Sequence, residues 1–342
     1  QRQMCIRDSI LAAVSLPCFD PGRWADYTSE EREEFMRARY VVSMIEPGSI
    51  VKPFVFSAAL SEGIIDEGTT LYCENGVWML GSRRFHDHHA YGNLTAAEVI
   101  IKSSNVGAAK IGTKVGAETL YRYLRAFGFG QPTGVAIRGE NPGVLRPPSR
   151  WTSFSLPSIS IGQEITVNVL QMALAFGAIA NDGMRMRPRL VRRVRDEDGQ
   201  WVEEPPQEAG RAIPADIARR VRRVLFRTVE DGTGRRAKLD LYSVGGKTGT
   251  AQKAVGGRFS HKFVITSFVA MAPIGKPRIV VMVTLDQPRK HPGGQRHFGG
   301  TVAAPVAGKI IDKTLAYLGV EPDKAETLAR MGDTDPWETV RQ

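Results

Sequence analysis

Three short polar motifs follow one another along the chain, and each carries side chains suited to acyl transfer. They are Ser49-x-x-Lys52, Ser103-x-Asn105 and Lys247-Thr248-Gly249. A serine hydroxyl is a poor nucleophile until a neighbouring base removes its proton. A lysine can be that base when burial or a second cation lowers its pKa. The set predicts nucleophilic catalysis with Ser49 as the attacking group.

The spacing of Ser49 and Lys52 favours a direct contact, because side chains three positions apart on a helix share a face. We expect Lys52 to hydrogen-bond the Ser49 hydroxyl and to act as its base. Lys247 is the candidate second cation that lowers the pKa of Lys52. Ser49 would also lie near a helix N-terminus, where backbone N–H groups and the helix dipole stabilise a developing oxyanion.

The second motif supplies two further groups of such a site. Ser103 can relay a proton between Lys247 and an attacking or leaving amine. Asn105 offers both a hydrogen-bond donor and an acceptor to a substrate amide. The candidate catalytic residues are therefore Ser49, Lys52, Ser103, Asn105 and Lys247.

The third motif provides candidate substrate-binding residues. Thr248 and Thr250 offer hydroxyls to a substrate carboxylate, for which Lys247 is the counter-charge. Gly249 allows a substrate backbone to lie close against the strand. The backbone N–H groups of Ser49 and Thr250 form the predicted oxyanion hole, in which one donor typically contributes ~10²–10³ in rate.

Hydrophobic periodicity and capping residues place these motifs on predicted elements. Ser49 opens an apolar stretch to Leu60 that indicates a helix, with Pro53 in its first turn. Further helices are predicted to open at Leu94–Ala97 and to span Val106–Val115, Thr166–Asn181, Ile217–Glu230 and Thr301–Leu318. Strands are predicted at Ile10–Leu16, Tyr242–Val244, Phe263–Met271 and Arg278–Leu285, the last two as an antiparallel hairpin.

The order of these elements predicts an α+β fold: a strand, a block of helices, several strands and a final helix. We expect a mostly antiparallel central sheet, completed by both ends of the chain and flanked by helices, with a helical subdomain inserted. Residues 1–9 are predicted to be a non-native leader, 10–320 to form one domain, and 321–342 to be a polar tail with frayed ends.

Composition excludes several classes of protein. The chain has 342 residues, of which 42% are hydrophobic and 24% charged, as in folded globular proteins. Its net charge is +10, but the basic residues are scattered and no RNA-recognition or zinc-finger signature accompanies them, so no nucleic-acid partner is predicted. The three cysteines form neither a metal-like pair nor an even disulfide set. No stretch approaches the ~18 apolar residues of a membrane span.

The run His86-Asp87-His88-His89 contains residue types that bind metals. Its spacing is not that of a preformed tetrahedral site, and we interpret it as a polar cluster in a loop. Neither a metal nor another cofactor is predicted.

The three motifs and their surroundings resemble those of class B penicillin-binding proteins. The active-serine segment corresponds to Glu46–Phe54, the second motif to Ser103–Gly107 and the third to Gly246–Gln252. The resemblance runs from about Ile10 to Leu318, so it covers nearly the whole chain. The Ser-Ser-Asn-Val-Gly form is most similar to the division (FtsI-like) or sporulation branch. One departure is Ile50, where the family commonly has threonine.

This resemblance implies a β-lactamase/transpeptidase-like fold and D,D-transpeptidation of peptidoglycan. In that reaction the serine attacks the penultimate D-Ala carbonyl of a stem peptide, and an amine of a neighbouring stem then takes the acyl group. β-Lactam antibiotics acylate the same serine. The family also implies a domain on the extracytoplasmic face of the bacterial cell membrane, with an N-terminal anchor helix and a pedestal absent from this chain. Its implied partners are a membrane glycan polymerase and division proteins.

Three alternatives stay open at this point. A serine β-lactamase or β-lactam sensor shares the fold, and Glu164-x-x-x-Asn168 matches by letter a motif that could supply a deacylating base. A D,D-carboxypeptidase would pass the acyl group to water. A non-catalytic division scaffold would keep only the fold, which the intact motifs argue against.

Overall fold

The structure is a computed structural model that describes residues 8–255, 258–288 and 298–332. Its α-helices are α1 (Ser29–Met36), α2 (Arg39–Val42), α3 (Lys52–Ser61), α4 (Ala96–Ile101), α5 (Asn105–Val115), α6 (Ala117–Ala126), α7 (Ser155–Ser160), α8 (Val169–Ala180), α9 (Ala215–Glu230), α10 (Gly299–Val302), α11 (Ala304–Tyr317) and α12 (Lys324–Gly332). Its β-strands are β1 (Thr70–Tyr72), β2 (Val77–Leu80), β3 (Arg83–His86), β4 (Asn93–Thr95), β5 (Met184–Met186), β6 (Arg193–Arg195), β7 (Trp201–Glu203), β8 (Glu208–Arg211), β9 (Gly245–Val255), β10 (Arg258–Ala272) and β11 (Ile279–Asp286). None of the helices in these ranges combines the length and the apolar character that crossing a membrane requires.

The main sheet of the described chain is antiparallel, with the strand order β11-β10-β9. The pairing of β10 with β11 confirms the predicted hairpin. In the pairing of β9 with β10, Gly249 lies opposite Ser267 and Thr250 opposite Thr266. The third motif is therefore held on β9, at one edge of the sheet.

The two faces of the sheet are buried against different helices. Val269 and Met271 belong to a core that they share with helices α3 to α9, here called the helical block. Phe268 and Ala270 belong to a second core with residues of α11, including Ile311. This division follows the two-residue period of a strand, whose successive side chains point to opposite faces. The sheet is thus fixed from both sides, which holds β9 rigidly.

Helix α3 lies at the centre of the helical block. Phe54 is fully buried and packs against Phe127, Phe129 and Phe176, with ring centroids 4.7, 5.0 and 5.2 Å away. Every residue from Lys52 to Leu60 is buried, as expected of a helix that is apolar on all sides. Burying each large apolar side chain contributes about 1.5–3 kcal/mol, so the position of α3 is strongly specified.

The predicted helices are present, with ends displaced by a few residues. The predicted helix Thr301–Leu318 is interrupted at Ala303, which separates α10 from α11. The helix after Ser49 begins only at Lys52, because Gly48–Val51 form a 3₁₀ turn that leads into α3.

The predicted strand at Ile10–Leu16 is wrong. The segment is irregular, and Leu11, Val14 and Leu16 are 52%, 74% and 71% exposed. Ile10 donates to the carbonyl of Arg189 at 3.0 Å, and the Ser15 hydroxyl accepts from the Arg39 N–H at 3.0 Å, but these bonds do not form a strand ladder. A short apolar run becomes a strand only where a partner edge is available, and the main sheet of the described residues does not include this end of the chain.

Both end segments contact the rest of the molecule where they are described. Asp8 is buried and forms an ion pair with Arg189 at 3.2 Å. The segment after 320 was expected to fray, but it contains α12, and Asp323 accepts a hydrogen bond of 2.8 Å from the backbone of Ser243. Lys324 forms a buried ion pair with Glu230 at 2.9 Å. Residues 1–7 and 333–342 lie outside the described residues, and the domain boundaries at 9 and 321 stay predictions.

Candidate active site

Ser49 lies partly exposed in the 3₁₀ turn Gly48–Val51. The turn is held against a second loop, because the Gly48 N–H donates to the Gly162 carbonyl at 3.0 Å. Gly48 and Gly162 have φ angles of +54° and +84°, and a Cβ at Gly162 would lie 2.1 Å from the Gly48 oxygen. Glycine is therefore required where the two backbones touch, and this contact fixes the backbone that carries Ser49.

The same turn packs against β9. A Cβ added at Gly249 would lie 3.0 Å from both the Pro47 oxygen and a methyl carbon of Ile50. One added at Gly48 would lie 3.2 Å from the Thr250 oxygen. The structure thereby brings Ser49 beside the third motif. Because Gly249 has no side chain, the chain's own Pro47 and Ile50 can lie against it. This contact explains the glycine without a substrate, and the role of Gly249 in admitting a substrate stays a prediction.

Lys52 is the first residue of α3 and is fully buried. Its Nζ donates to the Ser103 carbonyl at 2.7 Å, to Asn105 Oδ1 at 2.8 Å and to Ser103 Oγ at 3.3 Å. These acceptors match the three N–H groups of a protonated amine. The predicted hydrogen bond from Lys52 to Ser49 is not formed, because the second motif occupies these donors.

Lys247 reaches the same place from β9 and is also fully buried. Its Nζ donates to Ser103 Oγ at 2.8 Å and to the Thr248 carbonyl at 3.2 Å. The Ser103 hydroxyl therefore lies between two lysine amines. The structure brings all three motifs together at this hydroxyl.

Ser103 has an unusual backbone conformation. Its φ angle is +62°, in the left-handed region that non-glycine residues seldom adopt. The conformation is held by the turn that ends α4, in which the Ser103 N–H donates to the Ile100 carbonyl at 3.2 Å. Such a conformation costs free energy and persists only where the surrounding structure holds it in place. Residues in such conformations are often found at functional sites. The strain accompanies the placement of the Ser103 side chain between the lysines.

Burial perturbs both lysines. It lowers the pKa of Lys52 to about 7, with the negative charge of Asp87 acting in the opposite direction. Burial, and then the charge of Lys52, lower the pKa of Lys247 well below its usual value. Two amines so close to one hydroxyl titrate as a coupled pair. Near neutral pH the site therefore contains unprotonated lysine, the form that can accept a proton.

The hydroxyls of the third motif have partners in the protein. Thr248 Oγ1 donates to the Thr233 hydroxyl at 3.0 Å, and Thr250 Oγ1 accepts from the Gly299 N–H at 3.2 Å. The sequence had suggested no role for Thr233. The surrounding Gly232-Thr233-Gly234 is a recognisable glycine-rich segment, which is the signal that could have led to it.

Asp87 is a second residue that sequence reasoning missed. Its carboxylate accepts hydrogen bonds from the Ser104 hydroxyl and from the backbone of Asn105. His86 is the last residue of β3, and residues 87–89 follow it outside any helix or strand. In the described part of the chain no group of three or more potential metal ligands occurs. Local spacing carries no signal for this contact, since Asp87 and Ser104 are 17 positions apart.

The family model described as the penicillin binding protein transpeptidase domain matches residues 7–312. The chain belongs to this family. The probable peptidoglycan D,D-transpeptidase PbpC of Pseudomonas aeruginosa is 34% identical over 325 residues, covering 95% of this chain and 54% of that protein. Stage V sporulation protein D of Bacillus subtilis is 34% identical over 326 residues, covering 92% of this chain and 48% of that protein.

A solved structure extends the likeness to the fold of this transpeptidase domain. Penicillin-binding protein 3 from Mycobacterium tuberculosis, complexed with ampicillin, is similar with a TM-score of 0.79 and 32% sequence identity, covering 89% of this chain and 67% of that one. The predicted class B resemblance and the α+β transpeptidase fold are confirmed. The chain spans about half the length of the curated relatives it matches.

Proposed function

We propose that this chain is the domain of a peptidoglycan D,D-transpeptidase in which Ser49 is the acylated nucleophile. The observation that carries the proposal is the convergence of two buried lysines on the Ser103 hydroxyl, at 2.8 Å for Lys247 and 3.3 Å for Lys52, beside the turn that carries Ser49. Burying two amines disfavours their protonated forms, because the charge is removed from water. Amines with such lowered pKa values are often found at catalytic sites, where the unprotonated form acts as a base.

Acylation begins with transfer of the Ser49 proton to unprotonated Lys52. A neutral amine has two N–H groups and one lone pair, so Lys52 can keep its bonds to the Ser103 carbonyl and to Asn105 while it accepts that proton. Ser49 Oγ then attacks the penultimate D-Ala carbonyl of a stem peptide. The backbone N–H groups of Ser49 and Thr250 stabilise the negative oxygen.

The leaving D-Ala amine requires a proton, which the Ser103 hydroxyl is placed to relay from the lysine pair. In the second half-reaction an amine of a neighbouring stem attacks the acyl-enzyme and returns its proton by the same route. The support for this relay is that Ser103 Oγ contacts both Lys52 and Lys247. A hydroxyl can accept one hydrogen bond and donate another at once, as a relay demands.

The substrate carboxylate is assigned to the third motif. Lys247 pairs with the carboxylate in its protonated form, which a bound anion favours, and Thr248 and Thr250 supply hydroxyls on β9. Asn105 is assigned to a substrate amide. Stem peptides and β-lactams are the proposed ligands, with a membrane glycan polymerase and division proteins as partners on the extracytoplasmic face of the cell membrane. The ampicillin complex of the Mycobacterium tuberculosis relative supports the β-lactam assignment.

The hydrolytic alternative lacks a free carboxylate at Glu164. Its side chain forms ion pairs with Arg83 at 3.0 Å and Arg146 at 2.9 Å and accepts from the Ser155 hydroxyl at 2.7 Å. A carboxylate held by two guanidinium groups is a weak base. Transfer to an amine is therefore favoured over rapid transfer to water.

Labelling with a fluorescent penicillin tests the proposal. We expect wild type to form a stable adduct, which mass spectrometry of peptides places on Ser49, and Ser49→Ala to form none. Ser43→Ala is the matched control, because Ser43 is an exposed serine on the same segment and should label like wild type. A Ser49→Ala protein that still labels contradicts the nucleophile assignment, and an adduct lost within seconds supports the β-lactamase alternative.

A further inference from the structure

The last residue of β3, His86, and the first residue of the loop after it, Asp87, hold the second motif through the backbone and the side chain of Asn105. The Asp87 carboxylate accepts hydrogen bonds from the Ser104 hydroxyl at 2.7 Å, from the Val106 N–H at 3.0 Å and from the Asn105 N–H. The neighbouring His86 carbonyl accepts from Asn105 Nδ2 at 2.8 Å. One dipeptide therefore fixes the backbone and the side-chain amide of Asn105, and it also binds the N–H groups that begin α5.

The contact with His86 decides which way the Asn105 amide faces. A carbonyl can only accept, so Asn105 must present Nδ2 to it. Its Oδ1 then points to Lys52 Nζ, 2.8 Å away. Without this loop the amide could turn over and place two N–H groups against the lysine amine. The loop thus controls a ligand of Lys52.

Asp87 is also the negative charge that acts on Lys52. Burial lowers the pKa of Lys52, and Asp87 partly opposes that effect. Lys247 on β9 and His88 on the same loop are the other titratable groups that sense the charge of Lys52. The charge of Asp87 also acts on Cys73, His88 and Tyr91.

We propose that Asp87 is a positioning residue for acylation, which holds Ser104 and Asn105 and through Asn105 holds the Lys52 amine that accepts the Ser49 proton. This inference rests on the proposed function, because it concerns the base of that reaction. The segment 86–89, interpreted from its sequence as a polar cluster in a loop, then positions residues of the active site instead of only facing solvent.

Asp87→Asn separates position from charge. The amide has nearly the same shape, and its Oδ1 can still accept from the N–H groups of Asn105 and Val106, while its Nδ2 can donate to the Ser104 hydroxyl. We measure the rate of labelling by fluorescent penicillin from pH 5 to 9, with thermal unfolding of each variant. Because the anion that raises the pKa of Lys52 is lost, the rising limb of the Asp87→Asn rate should move to lower pH, with a maximum close to that of wild type.

Asp87→Ala removes the hydrogen bonds as well as the charge. A misplaced catalytic group can cost about 10²-fold in rate, and we expect a loss of that order at every pH. Glu98→Gln is the matched control, because Glu98 is also a carboxylate that binds a helix start, accepting from the Thr95 N–H at 3.0 Å. It should lower stability without moving the pH profile.

The outcomes are distinguishable. A shifted limb in Asp87→Asn with slow labelling in Asp87→Ala supports the proposal. Profiles of Asp87→Asn and wild type that coincide, with wild type labelled on Ser49, overturn the role of Asp87 alone. A wild-type protein that is not labelled on Ser49 overturns the proposed function and this inference together. If Asp87→Ala does not fold, the limb of Asp87→Asn decides by itself.

Discussion

The Ser103 hydroxyl accepts a hydrogen bond of 2.8 Å from Nζ of Lys247, which lies 144 positions further along the chain. This bond joins the helical block to the sheet at the proposed site of proton transfer.

Replacing Ser103 separates its chemistry from its backbone strain. Ser103→Ala and Ser103→Gly both remove the relay hydroxyl, and we expect each to slow acylation about 10²-fold or more. Glycine adopts a φ angle of +62° without the steric cost that alanine has. The free energy of unfolding of Ser103→Gly should therefore be about 1–2 kcal/mol higher than that of Ser103→Ala. Penicillin labelling and urea unfolding measure the two effects. Rates that differ strongly between the variants contradict the relay, since both lack the hydroxyl.

The rate of acylation should depend on pH through the lysine pair. The pKa of Lys52 is lowered to about 7, so at lower pH Lys52 is protonated and cannot accept the Ser49 proton. We expect the rate to fall about tenfold for each pH unit below the limb and to level off above it. The measurement is the acylation rate constant from pH 5 to 9 with a β-lactam that has no titrating group in this range. A rate that is constant over that range is incompatible with lysine as the base.

The glycine contact beneath Ser49 gives a stability prediction with an internal control. Gly162 and Gly134 have nearly equal φ angles, +84° and +83°, so alanine has a similar backbone cost at both. At Gly162 the added Cβ also meets Gly48, whereas nothing lies within 4 Å at Gly134. Gly162→Ala should therefore lose about 1–3 kcal/mol more than Gly134→Ala, the usual cost of overpacking. Urea unfolding measures the difference, and equal losses would show that the contact yields easily.

Glu164→Gln tests the hydrolytic alternative from the other side. The substitution weakens the ion pairs with Arg83 and Arg146, so the melting temperature should fall. If Glu164 takes no part in deacylation, the lifetime of the penicillin adduct should stay within about twofold of wild type, since an undisturbed chemical step has an unchanged barrier. The lifetime is followed by loss of the fluorescent adduct after excess label is removed. A much longer lifetime would identify Glu164 as the deacylating base.

Local elements were predictable because their causes are local. Helical spacing predicted that a helix opens at Leu94–Ala97, and α4 begins there, with Thr95 capping it by accepting from the Glu98 N–H at 3.1 Å. The hairpin of β10 and β11 was predicted from two apolar runs joined by a short turn. The strand predicted at Ile10–Leu16 is absent, because a short apolar run forms a strand only where a partner strand lies beside it, and the run itself does not indicate one.

By itself, the sequence determined the motifs, their order and most helices, because residue types, periodicity and caps act over a few positions. It also identified Ser49, Lys52, Ser103 and Lys247 as groups to be brought together. Only the tertiary structure decided how they meet. The Lys52 amine hydrogen-bonds Ser103 rather than the Ser49 hydroxyl, and Asp87 hydrogen-bonds Asn105, because contacts across 18 to 144 positions depend on how helices and strands pack. The tertiary structure also decided the lowered pKa of Lys52, since this shift results from burial that no short stretch of sequence can produce.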